Sequence, residues 1–267
     1  MLDLRILSYH VPSYRPETLN RTEYFWYHDT DVDFSSVRDP SSVTGINIRQ
    51  ETRFQPLDSY WMLYHEPITV PPEIERFTEL ESLTIRCMGL NPLPDSLQKL
   101  EYLRSFKLVT SSMVPIFHCP DFSHMRHLTS LRIHSSGLEF LSPSIGALRE
   151  LEELDLYGCL HIYALPSSIR NLINLTSVDL SYCNFAVLPF ELSFLTQLRE
   201  LWLGNNPHLA SIPAWIDRLQ NLRHLDLRSC SYFESLPDSI GNLHELEILN
   251  LGGCWRLTSV PDSYLQP

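Results

Sequence analysis

His118, Cys119, His124 and His127 fall within the ten residues HCPDFSHMRH, and all four side chains can ligate a metal. Structural zinc is held by thiolate and imidazole groups at tight spacings, and His124 and His127 would meet on one face of a helical turn. Met125 and Leu128, however, continue an apolar pattern that runs on through the chain. The interval from Leu103 to Leu128 is 25 residues against 23 or 24 elsewhere in that pattern, which leaves little room for a separate metal knuckle. The segment is therefore read as part of the pattern, and no metal is expected.

Other reactive groupings are missing from the sequence. It has no P-loop, no G-x-G-x-x-G, no G-x-S-x-G and no C-x-x-C, so no catalytic residue and no cofactor is expected. Asp and Glu number 32 against 20 Lys and Arg, a net charge of −12. That balance argues against nucleic acid, whose phosphates call for clustered cations. No run of 18 apolar residues suggests a membrane span. Met1 to His10 lacks the basic and apolar regions of a secretory signal.

The elements that could position a site come from a repeat. The pattern L-x-x-L-x-L-x-x-C/N/S, then a loop, then L-P-x-S-I-x-x-L-x-x-L, starts at Leu80, Leu103, Leu128, Leu151, Leu175, Leu198, Leu222 and Leu246. Leu151, Leu154 and Leu156 point one way, and Glu152, Glu153, Asp155 and Tyr157 the other, as in a short strand. Leu165, Pro166, Ile169 and Leu172 mark the returning half. Proline without an N–H opens it, and Ser167–Leu172 has the i, i+3 spacing of a short helical turn. Strand-plus-return units of this length are leucine-rich repeats. The expected fold class is an α/β repeat: a solenoid with a curved parallel sheet and short helical or 3₁₀ returns.

Residues 57–267 are assigned to the solenoid, with about nine coils and the last one incomplete. Residues 1–56 are assigned to a helical N-terminal cap, because a solenoid end exposes apolar edges. Arg15 to His28 is read as one helix and Ser41 to Phe54 as a second. A degenerate first coil has its strand within Tyr60–His65 and its return at Val70, Pro71, Ile74 and Phe77. At the other end the coil from Leu246 stops at Pro267, and a following domain or a partner is expected to cover it.

Cys159, Cys183, Cys230 and Cys254 all occupy the ninth place of their repeats, where Asn206, Ser111 and Ser136 stand in others. The place wants a small residue with hydrogen-bonding capacity, so stacked interior thiols are expected. Unpaired thiols point to a reducing compartment.

The outward strand positions form the candidate binding face. Arg86, Lys107, Arg132 and His134 make its first half basic. Asp155, Asp179 and Asp226 make its second half acidic, with Tyr157, Tyr182 and Trp202 among them and Arg228 beside them. Exposed aromatics next to charges have the make-up of interaction hot spots, and concave solenoid sheets commonly bind proteins.

The repeats Leu151–Asn174 and Leu222–Glu245 resemble the plant-type intracellular pattern LxxLDLxxCxxLxxLPxSIxNLxxL. Plant immune receptors and the XL-box type III effectors of plant-pathogenic bacteria (XopL-type and Hpa-type) share it. The chain from Arg15 onward is more similar to the effectors, with their helical cap, degenerate first coil and regular LPxSI coils. That resemblance implies a module that recognises a host plant protein through the concave face, secreted by a type III system into the host cytoplasm. In that class a separate C-terminal domain acts as an E3 ubiquitin ligase, and this chain stops before one could begin, so no catalytic residue is carried over. The alternative is the sensing region of a plant intracellular immune receptor.

Overall fold

Apolar residues at the first, fourth and sixth places of each repeat turn inward, and the residues between them alternate outward along a short strand. The computed structural model describes residues 23–27, 34, 37–49, 67–87, 89–110 and 119–265. Ten strands run through them: β1 (Glu23–Tyr27), β2 (Gly45–Arg49), β3 (Ser82–Cys87), β4 (Ser105–Thr110), β5 (Ser130–Ser135), β6 (Glu153–Asp155), β7 (Ser177–Asp179), β8 (Glu200–Trp202), β9 (His224–Asp226) and β10 (Ile248–Asn250). They make one sheet in sequence order, and every neighbouring pair is parallel. This is the leucine-rich repeat solenoid that the period predicts.

The returns are single turns of 3₁₀ helix, among them Ser167–Asn171, Ala214–Arg218 and Asp238–Asn242. Pro166 enters at φ −66°, and Leu172 N closes the turn on Ile169 O at 3.1 Å. The serine of LPxSI, and Ser263 at the same place in the last coil, have a separate task. Ser168 Oγ donates to Pro143 O, Ser239 Oγ to Ala214 O and Ser263 Oγ to Asp238 O, each at 2.7 Å, so each ties its return to the preceding coil. Asn174 and Asn221, just ahead of the first leucine, do the same through Arg149 O and Thr196 O at 2.8 Å. Leu151, Leu154, Leu156, Leu175, Leu180, Leu201, Leu225 and Leu227 are fully enclosed, each contributing about 1.5–3 kcal/mol by leaving water.

Two expectations at the N-terminal side need correction. Glu23–Tyr27, within the segment read as a helix, is strand β1, and Gly45–Arg49, within the second, is strand β2. The run EYFWY favours a strand through its aromatics, and GINIR buries Ile46 and Ile48 while Asn47 and Arg49 stay half-exposed, a period of two rather than 3.6. β2 pairs directly with β3, with Ile46 beside Leu83, so it holds the place expected for a strand within Tyr60–His65, a segment outside the described residues. Phe34, Val37 and Val43 are buried, and the Phe34 ring stands edge-on to Phe77 at 5.0 Å, which joins this region to the solenoid core.

The coil expected to be incomplete carries β10 and then a helical turn, α1 (Asp262–Leu265), which stacks on Asp238–Asn242. Its return therefore follows the same course as its neighbours'. Gly241 permits this stacking, since a Cβ there would meet the Ser263 carbonyl at 2.6 Å.

The ninth-place thiols form a ladder. Cys159 Sγ donates to Ile133 O at 3.0 Å, Cys183 to Leu156 O at 3.4 Å, Cys230 to Leu203 O at 3.3 Å and Cys254 to Leu227 O at 3.0 Å. Each acceptor is the sixth-place carbonyl of the preceding coil. All six cysteines are free. Burial pushes the Cys159 thiol up to about 12 and the Cys230 thiol up to about 11. The thiolate is the form that attacks a thiol reagent, so the native protein at pH 8 is expected to react slowly. Cys119, which is only partly covered, should react first, and all six should react on denaturation. Fast native labelling of Cys159 or Cys183, mapped by mass spectrometry, would contradict the ladder.

Candidate functional site

The fifth place of each repeat lies within the longer strands β3 to β5 and at the end of the three-residue strands β6 to β10. Strand register aligns these residues into one row: Asn47, Thr84, Lys107, Arg132, Asp155, Asp179, Trp202, Asp226 and Asn250. A second row places Arg49, Arg86, Val109 and His134 side by side. Arg86, Lys107, Arg132, His134, Asp155, Asp179, Trp202 and Asp226 fall in these two rows, while Tyr157, Tyr182 and Arg228 lie just past the strand ends.

Much of its charge is committed within the protein. Arg132 makes a two-pronged contact with Glu153, Nε to Oε1 at 3.0 Å and Nη2 to Oε2 at 2.8 Å. His134 Nε2 meets Asp155 Oδ2 at 2.7 Å. Burial pushes the Asp155 carboxyl up, but the His134 and Tyr157 hydrogen bonds and the nearby positive charges outweigh it and hold it below its ordinary range. Lys107 has its ammonium pushed down by burial and by the neighbouring Arg132 and Arg86 charges. Among the described residues no carboxylate pairs with Arg86 or Lys107, which makes them the open part of the basic half.

The acidic half is more structural than alternation alone suggests. Asp155 Oδ1 accepts the Tyr157 N–H at 3.0 Å, Asp179 Oδ1 that of Ser181 at 2.8 Å, and Asp226 Oδ1 that of Arg228 at 2.9 Å. Asn250 does the same for Gly252 at 3.1 Å. Each side chain ends its strand by holding the N–H two residues on, an Asx-turn. Asp226 is fully buried, and Arg228 Nε covers its second oxygen at 2.7 Å. Asp226 is therefore not offered to a partner.

Beyond this turn the eighth place of the last five coils takes a left-handed backbone: Gly158 at φ 76°, Tyr182 at 55°, Asn205 at 57°, Ser229 at 58° and Gly253 at 79°. Glycine and asparagine suit that region. For a bulky L-residue it costs roughly 1–2 kcal/mol. Tyr182 accepts this conformation and carries its ring onto the open face, 42% exposed and 5.0 Å from the Tyr157 ring. If Tyr182 is strained, the usual order of glycine and alanine should reverse. Tyr182→Gly is expected to be more stable than Tyr182→Ala by about 1 kcal/mol in denaturant titrations. An alanine variant as stable as the glycine variant would remove the strain argument.

Tyr157, Asp179, Ser181, Tyr182, Trp202, Asn205 and Arg228 line one open pocket of about 360 Å³. Trp202 is half-buried and stacks on His224, with ring centroids 4.0 Å apart. Asn205 and His224 were not among the sequence candidates. The signal for Asn205 was its place in the series Gly158, Tyr182, Asn205, Ser229 and Gly253. His224 lies opposite Glu200, and only the register brings it to Trp202.

The histidine cluster disperses. His124 and His127 are exposed, and His127 Nδ1 meets Glu150 at 3.1 Å in the next coil. The Cys119 sulfur accepts the Ser142 N–H at 3.2 Å, and His118 lies outside the described residues. Among the described residues no group of three metal-capable side chains converges. Among them also, no helix is long and apolar enough to cross a membrane.

A family model described as Leucine Rich Repeat matches residues 174–195 and 221–243. Among solved structures the chain is similar to a leucine-rich repeat protein of Leptospira interrogans, with a TM-score of 0.69 and 21% identity over 91% of this chain and 57% of that one. It is similar to the leucine-rich repeat domain of the type III effector XopL, with a TM-score of 0.52 and 24% identity over 74% of this chain and 70% of that one. A chain of the Toll–Spatzle complex of Drosophila gives a TM-score of 0.63 and 18% identity over 90% of this chain and 34% of that one. At these identities the likeness speaks for the fold alone. A search of curated protein sequences finds no match. The chain spans 57% of the Leptospira protein and 34% of the Toll–Spatzle chain.

Proposed function

We propose that this chain is the target-recognition region of a type III effector, which binds a host plant protein through its concave sheet and leaves any chemistry to another domain. The observation that carries the binding reading is the row of side chains that the register aligns across the sheet, with Tyr157, Tyr182 and Trp202 gathered around Asp179. A broad row of this kind suits a protein surface, which buries roughly 800 Å² per partner, better than a small metabolite. The effector reading rests on the LPxSI coils, whose sequence resembles the XL-box class. In this reading the six free thiols belong in the reducing cytoplasm of the host cell.

The test is capture from plant extract with three baits: the wild type, Trp202→Ala on the concave face, and Tyr163→Ala as a control away from it. The expected target is retained by the wild type and the control and depleted by Trp202→Ala. A protein retained equally by all three baits would place binding elsewhere on the solenoid. An in-vitro ubiquitination assay with E1 and E2 should show no ligase activity of the chain alone, and ubiquitin chain formation would overturn the division of labour.

A further inference from the structure

On the reading that the concave sheet binds a protein, we infer that the pocket at Asp179 receives a positively charged side chain of the partner, an arginine or a lysine. Three observations lead there. First, Tyr157, Tyr182 and Trp202 supply aromatic walls, and the face of an aromatic ring attracts cations. Second, Asp179 is a half-buried carboxylate on the pocket lining whose hydrogen-bond partner is Ser181. Oδ1 holds the Ser181 N–H, and among the described residues no cation pairs with the group. Its neighbours in the row differ: Asp155 has His134, and Asp226 has Arg228. Third, Tyr182 keeps an aromatic ring at a backbone position that favours glycine, and the ring forms part of this pocket.

Arg228 also lines the pocket and would repel a cation if its charge were free. It is not free, because Nε donates to the buried Asp226 carboxylate at 2.7 Å and Nη2 lies at 2.5 Å from the same oxygen. Asp179 therefore supplies the uncompensated charge of the site. Burial, followed by the Asp155 charge, pushes its carboxyl above the ordinary range against the pull of the Ser181 hydrogen bonds, a situation that an incoming cation would relieve. The volume of about 360 Å³ is at the low end for ligand sites and accommodates one long side chain rather than a folded ligand.

The probes are three short glycine–serine peptides, each with one central residue: arginine, lysine or citrulline. Citrulline keeps the shape of arginine without its charge. Binding to the full chain is followed by NMR at the Trp202 indole N–H, assigned with Trp202→Phe. The arginine and lysine peptides should shift that resonance saturably at millimolar concentration, and whichever binds tighter identifies the preferred side chain. The citrulline peptide should bind at least tenfold more weakly. Asp179→Asn keeps an amide oxygen for the Ser181 N–H, so the turn is preserved while the charge is lost, and it should weaken the charged peptides at least tenfold.

Equal binding of citrulline and arginine, or no shift with either charged peptide, overturns the cation pocket. So does undiminished binding to a folded Asp179→Asn protein. If Asp179→Asn fails to fold, the citrulline comparison on the wild type decides alone. A host target that binds Asp179→Asn normally but is lost by Trp202→Ala would retain the concave face as binding surface and reject the cation pocket. Charged-peptide binding at Trp202 without any concave-dependent host target would do the reverse.

Discussion

Asn206→Ala is expected to lower the stability of this chain by about 3 kcal/mol or more, far beyond a typical single substitution. The side chain is fully enclosed and uses both its ends. Oδ1 accepts the Phe185 N–H at 3.0 Å, and Nδ2 donates to Leu180 O at 2.8 Å and Leu203 O at 2.9 Å. Alanine would strip the Phe185 N–H and the Leu180 carbonyl of these side-chain partners inside the core, while Leu203 O would keep the Cys230 thiol. A buried polar group left unpaired costs about 1–3 kcal/mol, and the lost third bond and small cavity add to that. Asn206→Cys should be much milder, near 1 kcal/mol. In the flanking coils Cys183 and Cys230 already reach the corresponding carbonyl of the preceding coil, so a thiol at 206 can restore the bond to Leu180 O. The difference between the two variants, measured by denaturant titration, is the result that matters. Equal losses would mean that the ninth place selects for size and not for a donor.

The same residue shows why most of the fold was legible in the sequence. The inward leucines repeat at fixed intervals because each coil must bury the same strip, and an error in that period would expose a whole strand face. The ninth place was legible for a similar reason: only small hydrogen-bonding side chains recur there. Legibility failed where a short segment admitted two periods. EYFWY has no polar residue after Glu23 to separate a strand from a helix, so its periodicity fits either element. GINIR was legible in principle, since Ile46 and Ile48 alternate with Asn47 and Arg49, but it lies outside the regular leucine register.

The candidate site was half legible. Alternation gives the direction of a side chain and not its partner. It placed Asp155, Asp179 and Asp226 on the outward row, yet it could not show that each would fold back on the N–H two residues later, or that Asp226 would be fully buried. The recurrence of Asp or Asn at the fifth place of four coils was the available sign of that local turn. Nor could it show that Arg228 would close over Asp226, because that contact depends on how the chain leaves the strand. Of these three aspartates, Asp179 is the one with no cation partner among the described residues.

That carboxylate gives Trp202 its importance. Its ring is half-buried, rests on His224 and lines the same pocket as Asp179, so it is held in place before a partner arrives. Immobilising a large side chain in advance removes part of the entropy that binding would otherwise cost. Trp202→Ala is expected to weaken partner binding by about 2 kcal/mol or more, roughly a thirtyfold rise in Kd. Its effect on folding should be far smaller, within about 1 kcal/mol, because the ring packs on His224 at the surface and not on the leucine core. Affinity of the wild type should also fall with added salt, since Asp179 lies on a solvent-accessible face. Melting curves and partner titrations of one Trp202→Ala preparation separate the possibilities. Unchanged affinity in a stable variant would shift the binding surface to Arg86 and Lys107, the open cations of the basic half. A large loss of stability with unchanged affinity would instead make the Trp202–His224 stack a clamp between β8 and β9, which fixes the register of the sheet and takes no part in recognition.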